Sequence, residues 1–393
     1  MLNSNTLKNQ KKFVMYLSFF PEQSFINAIL VLFYLYHLKI NMSDYLILDS
    51  VLFLLTAILE IPSGFISDYF GRKRMLLISQ ILMIISMVIL LYSTGFYLGL
   101  VSIIFLSFGL SLGSGNDVSI LYEFFSENDT VENYEKLLAN KNTIFFISTA
   151  IYSIISGFIF KINMDLIIIF DIVIMILNII ITYIYLYDKY PRGVKQVKRN
   201  KNNTFKFKIL NKVLLTFILM SLLFSFFRVT FNFYQPMYEE IHIPIELLGF
   251  FPLIYNVLAS IGSQIYGKIL TKVTDKIKSL IIVFFLLFSV IILLVSNIYY
   301  LVLFVIFFQQ IIRGIFFSYN TIAINNEIPK DTNYRTMYIS FYRMLLTLLG
   351  AILIFISSII SGHFNLFFSY IATSLLILLF AILTLLFYKK NSR

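Results

Sequence analysis

The chain has 393 residues, 59% of them hydrophobic, and its mean hydropathy is +0.86. Soluble domains average about 45–50% apolar residues, so this composition excludes an ordinary soluble globular protein. The net charge of +11 would suit a nucleic-acid partner, but most lysines and arginines lie in short loops between apolar runs, where membrane topology explains them. We therefore expect no nucleic-acid binding. Because the chain has no cysteine and only three scattered histidines, we also expect no metal site and no other cofactor.

Apolar runs separated by charged breaks predict an all-α membrane protein. A helix needs about 20 mainly apolar residues to cross the hydrocarbon, and lipid offers the backbone no hydrogen-bond partner. The runs are far longer than the roughly ten-residue alternating segments of a membrane barrel. In chain order, the twelve predicted transmembrane helices are 13–37, 45–66, 74–94, 97–124, 142–161, 164–187, 212–236, 246–270, 279–296, 299–325, 336–360 and 364–388.

The charges around these spans predict the topology. The first span follows three lysines, as a signal peptide would, but it continues through His37 without a small-residue cleavage site, so we interpret it as retained. With the N-terminus in the cytoplasm, only Lys39 and Lys161 among the basic loop residues fall outside. The positive-inside rule therefore predicts that both termini are cytoplasmic.

A polar, basic segment at 188–211 divides the chain into residues 1–187 and 212–393, six predicted spans on each side. We interpret it as a solvated linker that fixes topology, and binding of anionic lipid head groups is the alternative. The two sides resemble each other weakly, because Asn116 and Glu123 have the same separation as Asn320 and Glu327. Such a repeat is typical of the parallel halves of a transporter, although chance similarity in a biased composition is an alternative.

The loop between spans 2 and 3 carries the segment Gly64-x-x-x-Asp68-x-x-Gly71-Arg72-Lys73-Arg74. Together with twelve spans and a central basic loop, this segment resembles the major facilitator superfamily. The preceding Glu60-Ile61-Pro62-Ser63-Gly64 and the later Asn116-Asp117-x-x-x-Leu121-Tyr122-Glu123 are similar to a bacterial branch of drug and metabolite efflux carriers. The resemblance implies two six-helix halves around a central cavity, and transport by alternating access across the bacterial cytoplasmic membrane.

Two positions of the loop motif are expected to require glycine because of the backbone. A residue without a side chain allows close helix approach at Gly64 and a tight turn at Gly71. The resemblance implies that Asp68 faces the N-terminus of span 11, with Arg72 able to pair with it, while Lys73 adds to the basic run. The motif would then act as a cytoplasmic gate between the halves. A simple topology-fixing turn is the alternative.

Four of the charged residues inside predicted spans are the strongest functional candidates: Glu22 beside Pro21, where we expect a bend, and Asp117, Arg228 and Arg313. Inserting each such charge into the membrane costs at least about 2.5–3.5 kcal/mol on insertion scales, so each of these residues is a candidate functional residue. The resemblance implies that spans 1, 4, 7 and 10, which carry them, line the central cavity. We expect Glu22 first and Asp117 second to carry protons, while the arginines hold an anionic group or act as counter-charges; static salt bridges are the alternative. We interpret Asp171 in span 6 as structural.

Helical spacing places polar side chains in stripes flanked by phenylalanines on spans 7 and 10, with a shorter stripe on span 1. Such stripes suit an amphipathic ligand better than a sugar. The predicted substrate-binding residues are Arg228, Arg313, Asn27, Asn116, Asn232, Gln235, Gln309 and Asn320.

No zinc-protease, phosphate-loop or nucleotide-binding motif is present, so we expect a protein that is not an enzyme and is driven by an ion or solute gradient. The leading hypothesis is a proton-coupled antiporter for multidrug efflux, exporting a drug, antibiotic, toxic metabolite or short peptide. Uptake of an anionic nutrient and a non-transporting membrane receptor are the alternatives. The expected partners are the small-molecule substrate, protons and membrane lipids, and the expected state is a monomer.

Overall fold

A computed structural model of the protein describes residues 4–114, 116, 131–187, 211–295, 301–328 and 335–391. In these ranges the chain is helical apart from short connections and contains no β-strand. The helices in chain order are α1 (Ser4–Phe19), α2 (Leu30–Leu38), α3 (Met42–Phe70), α4 (Arg72–Leu91), α5 (Gly95–Gly113), α6 (Val131–Ile162), α7 (Asp165–Tyr185), α8 (Asn211–Glu240), α9 (Ile245–Leu248), α10 (Phe251–Lys268), α11 (Asp275–Val295), α12 (Leu301–Glu327), α13 (Arg335–His363) and α14 (Leu366–Asn391).

Eleven segments in the described ranges are long and apolar enough to cross a membrane, with mean hydropathies between 1.6 and 2.9. A shorter apolar segment, Ile26–Leu38, adds the second part of the first predicted span. The predicted all-α membrane fold is therefore confirmed. The connections are short and often closed by a side chain, as where Asn41 and Asn365 accept hydrogen bonds from backbone N–H groups three residues ahead.

The first span differs from the continuous helix predicted at 13–37. Helix α1 ends at Phe19, and helical structure resumes only at Ile26, as a 3₁₀ turn (Ile26–Ile29) that leads into α2. The bend expected beside Pro21 is thus a complete interruption of about one and a half helical turns. Proline has no N–H to donate, so it stands where the helical hydrogen-bond ladder stops.

The chain divides into two compact units. Unit 1 contains Met1–Ile40, Leu55–Phe205 and Ile245–Phe250, and unit 2 contains Asn41–Leu54, Lys206–Pro244 and Phe251–Arg393. The first part of α3 therefore belongs to unit 2 and the rest to unit 1, while the short helix α9 belongs to unit 1. The predicted linker 188–211 lies, except for Asn211, outside the described residues, so the division into halves at that linker stays a prediction.

Small residues set the helix spacing inside each unit. In unit 1, the hydroxyls of Ser86 and Ser102 bond across α4 and α5, each donating to the other's backbone carbonyl at 2.8–2.9 Å. In unit 2, Gly262 of α10 and Gly314 of α12 lie against the backbone of the opposite helix. Close approach through small residues is the usual packing of membrane helices, where the hydrophobic effect does not drive association.

Candidate functional site

The interruption of the first span exposes backbone groups that other helices must satisfy, since unsatisfied groups are costly away from water. Asp171 of α7 does this for the N–H groups. Its Oδ1 accepts the N–H of Phe25 at 3.1 Å and its Oδ2 accepts that of Ile26 at 2.9 Å, and the residue is fully buried. The interpretation of Asp171 as structural is confirmed, because its carboxylate caps the helical segment that follows the break.

The carbonyl groups at the break are satisfied in the same way. Asn178 of α7 donates to the carbonyl of Phe20 at 2.9 Å. From α6, Ser156 donates to the carbonyl of Phe25 at 2.6 Å, and the hydroxyl of Tyr152 donates to that of Phe19 at 3.1 Å. Helices α6 and α7 therefore hold the irregular segment in one conformation within unit 1.

The predicted ligands of span 1 lie at this break. Glu22 is half-buried directly after Pro21, and Gln23 has a left-handed backbone (φ 55°). Asn27 is exposed in the 3₁₀ turn. The second proton-carrier candidate, Asp117, lies outside the described residues. Both proton-coupling assignments therefore stay predictions.

A buried ion pair in unit 2 involves Asp49, an acid that is not among the predicted site residues. Asp49 of α3 accepts a hydrogen bond from Nη2 of Arg228 at 2.6 Å and, on its other oxygen, one from Nδ2 of Asn232 at 2.7 Å. Nη1 of Arg228 donates to Oδ1 of Asn232 at 2.8 Å, closing a ring of three bonds. The guanidinium carbon also lies 4.7 Å from the centroid of the Phe53 ring.

Arg228 belongs to the less buried face of a central helix. Most of α8 is buried within the protein, but Phe224, Arg228 and Phe231 are only partly buried, at positions i, i+4 and i+7. The stripe predicted for span 7 is therefore present only in part, as these three residues. Asn232 and Gln235, its other two predicted members, are buried.

Arg313 of α12 differs from Arg228 because it has no carboxylate partner within the described part of the chain. Its Nη2 makes two long contacts, 3.5 Å to the backbone carbonyl of Tyr255 and 3.4 Å to Oδ1 of Asn256, both on α10. A guanidinium has five N–H donors. In the described residues, Nε and Nη1 of this side chain have no hydrogen-bond acceptor.

A network of tyrosines and glutamines packs on the buried side of Arg313. Gln309 accepts hydrogen bonds from the hydroxyls of Tyr234 and Tyr370 at 3.1 and 2.9 Å, and donates to Ser289 at 3.0 Å. The hydrogen-bonding groups of the buried Gln309 side chain are therefore occupied by partners within unit 2. Aromatic rings extend the same region, since Phe231 and Tyr255 have ring centroids 6.4 Å apart.

The other predicted ligands occupy separate places. Asn116 is buried in unit 1 and donates to the hydroxyl of Ser67 at 3.0 Å. Asn320 accepts a hydrogen bond from the hydroxyl of Tyr342 at 2.8 Å in unit 2. Unit 2 therefore brings Arg228 and Asn232 together and places Arg313 beside Gln309, while the assignment of all eight residues to substrate binding stays a prediction.

The loop motif has the predicted turn. Gly71 has a φ of 97°, a conformation that residues with a Cβ rarely adopt, and it separates α3 from α4. Lys73 donates to the backbone carbonyls of Tyr183, at 3.0 Å, and of Leu186, so it caps the end of α7.

The close contact predicted at Gly64 is absent, because a Cβ there would meet no described atom within 4 Å. Arg72 is half-buried, whereas the side chain of Asp68 lies outside the described part of the structure. The gate role of this motif therefore stays a prediction.

A separate pocket of about 370 Å³ lies in unit 1 between α3, α4 and α5. Its walls are apolar except for two serine side chains, and none of its lining residues is charged. It therefore cannot orient an ionic group, unlike the region around Arg228 and Arg313 in unit 2.

Asp49 was recognisable in principle. It interrupts the apolar run Tyr45–Leu54 near the start of span 2, and a carboxylate inside such a run is a functional hypothesis by default. Its partner lies 179 positions away in the sequence, and no local pattern connects the two.

Comparisons with known proteins give a consistent result. The family model of the Major Facilitator Superfamily matches residues 13–282. Similar solved structures include a point mutant of the nucleoside transporter NupG, with 14% identity, a TM-score of 0.76 and coverage of 98% of this chain and 99% of the other. No functionally curated protein matches the sequence significantly.

Two further solved structures share the fold. A POT family transporter in complex with 5-aminolevulinic acid has 16% identity and a TM-score of 0.71, and the match covers 98% of this chain and 96% of the other. A bacterial homolog of the human lysosomal transporter Spinster, in an inward-facing and occupied conformation, has 13% identity and a TM-score of 0.68, with coverage of 100% and 98%. The match over most of the chain, together with the fold, shows that this multi-pass membrane protein belongs to the major facilitator superfamily.

Proposed function

We propose that the protein is a secondary active transporter that moves a small amphipathic molecule with an anionic group by alternating access, coupled to protons. The observation that carries this proposal is Arg313, a cation on a membrane-spanning helix with no carboxylate partner among the described residues. Such a charge is costly in the membrane unless something compensates it. A substrate anion would use the N–H donors that Tyr255 and Asn256 leave free.

The surroundings of Arg313 suit an amphipathic rather than a highly polar ligand. The ring of Tyr255, whose carbonyl Arg313 contacts, lies 6.4 Å from that of Phe231. Phe317, one turn after Arg313 on α12, packs edge-on against Phe224 at 5.9 Å between centroids. A few fixed polar groups on an otherwise aromatic surface give orientation and apolar contact together. We therefore expect a substrate with an aromatic or aliphatic body and one acidic group.

The remaining features of the proposal follow from the sequence. Glu22 and Asp117 are the first candidates for proton carriage. Both termini face the cytoplasm, the membrane is the bacterial cytoplasmic membrane, and the protein works as a monomer among lipids. Export in exchange for protons is the direction that the efflux branch implies.

Uptake of an anionic nutrient is the second candidate, and Arg313 favours it. The membrane potential, negative inside, opposes the entry of an anion, so accumulation requires a coupled cation such as a proton. A cationic binding residue is expected in such a carrier. The nucleoside and peptide transporters among the similar structures share only the fold with this chain.

Flux in proteoliposomes tests the proposal. The panel contains naphthalene sulfonate as amphipathic anion, a hydrophobic dipeptide as zwitterion and ethidium as amphipathic cation, each with a pH gradient of either sign. We expect flux of the anion or the dipeptide, and a loss of about tenfold or more in Arg313→Gln, because a charge-assisted hydrogen bond contributes about 1.5–3 kcal/mol.

The matched control is Arg343→Gln, which removes an exposed guanidinium from α13 of the same unit and should leave the flux unchanged. Ethidium as the sole transported compound, or equal flux in Arg313→Gln and the wild type, would contradict the proposed substrate class. No gradient-driven flux of any of the three compounds would contradict the transporter proposal itself.

A further inference from the structure

The apolar pocket between α3, α4 and α5 opens at the surface of unit 1. Phe70, Ile78 and Phe108 each contribute to its walls, one from each helix, and they are 52%, 41% and 42% exposed. Met75 and Ser111, in contrast, are buried and form the inner wall. The cavity of about 370 Å³ is therefore accessible from outside the protein.

The surface around the opening has the character of a lipid-facing surface. Along α4, apolar side chains are exposed at positions i, i+3, i+7 and i+10, and these are Ile78, Ile81, Ile85 and Val88. Helix α4 is long and apolar enough to span the membrane, so this exposed face contacts hydrocarbon. Because Ile78 also lines the pocket, the pocket is continuous with the lipid-facing surface of unit 1.

The walls of the pocket favour an apolar occupant over water. The hydroxyl of Ser63 is used within its own helix, where it donates to the carbonyl of Glu60 at 2.9 Å. The other wall hydroxyl, that of Ser111, is buried and has no hydrogen-bond partner among the described residues. An ordered water needs about two to four polar partners, and the side chains of the walls offer one. A hydrocarbon chain needs none.

A free cation lies next to the pocket on the predicted cytoplasmic side. Arg72 is half-buried and Lys73 caps α7, whereas Arg74 is exposed and makes no hydrogen bond or ion pair with the described residues. Arg74 precedes Ile78 by four positions, so the two share one face of α4, about 6 Å apart along the helix axis. A molecule that fills the pocket can therefore reach Arg74 with its polar end.

The start of α4 also favours an anion at this place. Gly71, its N-cap residue, has no side chain that could accept a hydrogen bond, and the first turn contains no acidic residue. The first N–H groups of a helix have no partner within the helix, and the positive end of the helix dipole attracts negative charge. The polar end of the occupant is thus expected to be anionic.

We propose that the pocket binds an acyl chain of an anionic phospholipid, whose phosphate pairs with Arg74 at the predicted cytoplasmic surface of the membrane. The apolar walls select a lipid over a free phosphate ion, and the guanidinium selects an anionic over a zwitterionic head group. The pocket and Arg74 both lie in unit 1. The site is independent of the solute that the protein moves.

Tryptophan fluorescence tests this site, because the chain contains no tryptophan. Phe108→Trp places a single indole in the pocket wall, and Phe146→Trp, at a residue of α6 that is 54% exposed, reports on the lipid elsewhere around unit 1. Full-length protein in detergent is titrated with phosphatidylglycerol or phosphatidylcholine, each brominated in its acyl chains, which quench the indole on contact. In Phe108→Trp, half-maximal quenching should need about fivefold less phosphatidylglycerol than phosphatidylcholine, the ratio expected for one cation at a membrane surface. In Phe146→Trp, the two lipids should quench equally.

Three variants of the Phe108→Trp protein test the role of Arg74. Arg74→Gln should abolish the preference for phosphatidylglycerol, and Arg74→Lys should keep it. Lys11→Gln is the matched control, since Lys11 is an exposed cation of α1 on the same predicted side, and it should also keep the preference. Circular dichroism and size-exclusion chromatography show that each variant is folded.

Competition separates a lipid from other occupants. Unbrominated phosphatidylglycerol should restore the fluorescence of Phe108→Trp, and glycerol phosphate, which has no acyl chain, should not. Recovery with glycerol phosphate would overturn the proposal in favour of an anion site. A change of the emission with protein concentration in the absence of lipid would overturn it in favour of an interface between copies of the chain.

The lipid titrations can also contradict the proposal directly. Equal quenching of Phe108→Trp by the two lipids would overturn it, as would an unchanged preference in folded Arg74→Gln. The same preference in Phe146→Trp as in Phe108→Trp would show a general attraction of anionic lipid to a basic protein, and would overturn the specific site.

Discussion

At the scale of single residues, three charges in spanning helices differ in the partners that compensate them. Asp171 is compensated by the backbone N–H groups of a broken helix, and Asp49 by a guanidinium. Arg313 has only neutral acceptors among the described residues. Because a buried charge needs a partner, the charge without one is where an external partner is expected.

The first prediction concerns Asp171. Replacing it with alanine leaves the N–H groups of Phe25 and Ile26 without an acceptor, at a cost of about 1–3 kcal/mol for each. Asp171→Asn keeps one acceptor oxygen and should lose less. We expect the apparent melting temperature in detergent, followed by far-ultraviolet circular dichroism, to fall in the order wild type, Asp171→Asn, Asp171→Ala.

A second acid on the same helix provides the control. Asp165 begins α7 with a side chain that is 53% exposed, and its carboxylate lies 3.3 Å from Nδ1 of His37. Because exposed ion pairs contribute little, Asp165→Asn should melt close to the wild type. Equal melting of Asp171→Ala and Asp165→Asn would show that the cap does not stabilise the break.

Residue-level prediction from sequence worked where the cause is local. The turn at Gly71 follows from neighbouring residues and is present. Helical period correctly placed Phe224, Arg228 and Phe231 on one partly buried face of α8, but Asn232 and Gln235, predicted on the same face, are buried. The pairing of Arg228 with Asp49 could not be predicted, because it joins positions 179 residues apart. Gln309 was expected to face a ligand, yet its amide is occupied inside the unit, since helical period does not distinguish two buried faces.

At the scale of helices, hydropathy predicted the transmembrane spans but did not predict the interruption of the first span. The run from Phe13 to His37 is mainly apolar. Its mean hydropathy therefore stays high across the break, and the break cannot be detected from hydropathy. Pro21 indicated a bend. The full break depends on side chains from α6 and α7 that satisfy the freed backbone groups, and these lie more than 130 residues away.

The second prediction concerns the contact between α10 and α12. A Cβ at Gly262 would lie 1.9 Å from the backbone oxygen of Ile311, too close for any side-chain adjustment to relieve. Gly262→Ala should therefore separate the helices and lower stability by about 1–3 kcal/mol, the usual cost of overpacking. The measurement is the urea or heat denaturation midpoint in detergent.

Gly267, near the end of the same helix, is the matched control, since a Cβ there would meet nothing described within 4 Å. Gly267→Ala should be neutral or stabilise by up to about 1 kcal/mol, because alanine favours helix over glycine. If both variants were neutral, close packing at Gly262 would not be what holds α10 against α12.

At the scale of the whole molecule, composition and hydropathy determine more than any motif does. A chain with 59% hydrophobic residues in long runs can only satisfy its backbone in lipid as helices, and this fixes the fold class. The compact units, in contrast, do not coincide with the sequence order. The first part of α3 belongs to the unit that contains α8, because its serines and Asp49 bond to α8 and α13.

The last prediction concerns topology. The basic residues of the loop at Arg72, Lys73 and Arg74 and those after α10 lie on one predicted side, so the positive-inside rule assigns that side to the cytoplasm.

The chain has no cysteine, so single cysteines can report accessibility without background. Tyr92, 79% exposed after α4, lies on the predicted outside, and Thr271, exposed after α10, on the predicted inside. In intact cells a membrane-impermeant maleimide should label Tyr92→Cys but not Thr271→Cys, and permeabilised cells should label both. Labelling in the opposite order would place the basic loops outside and would contradict the predicted topology.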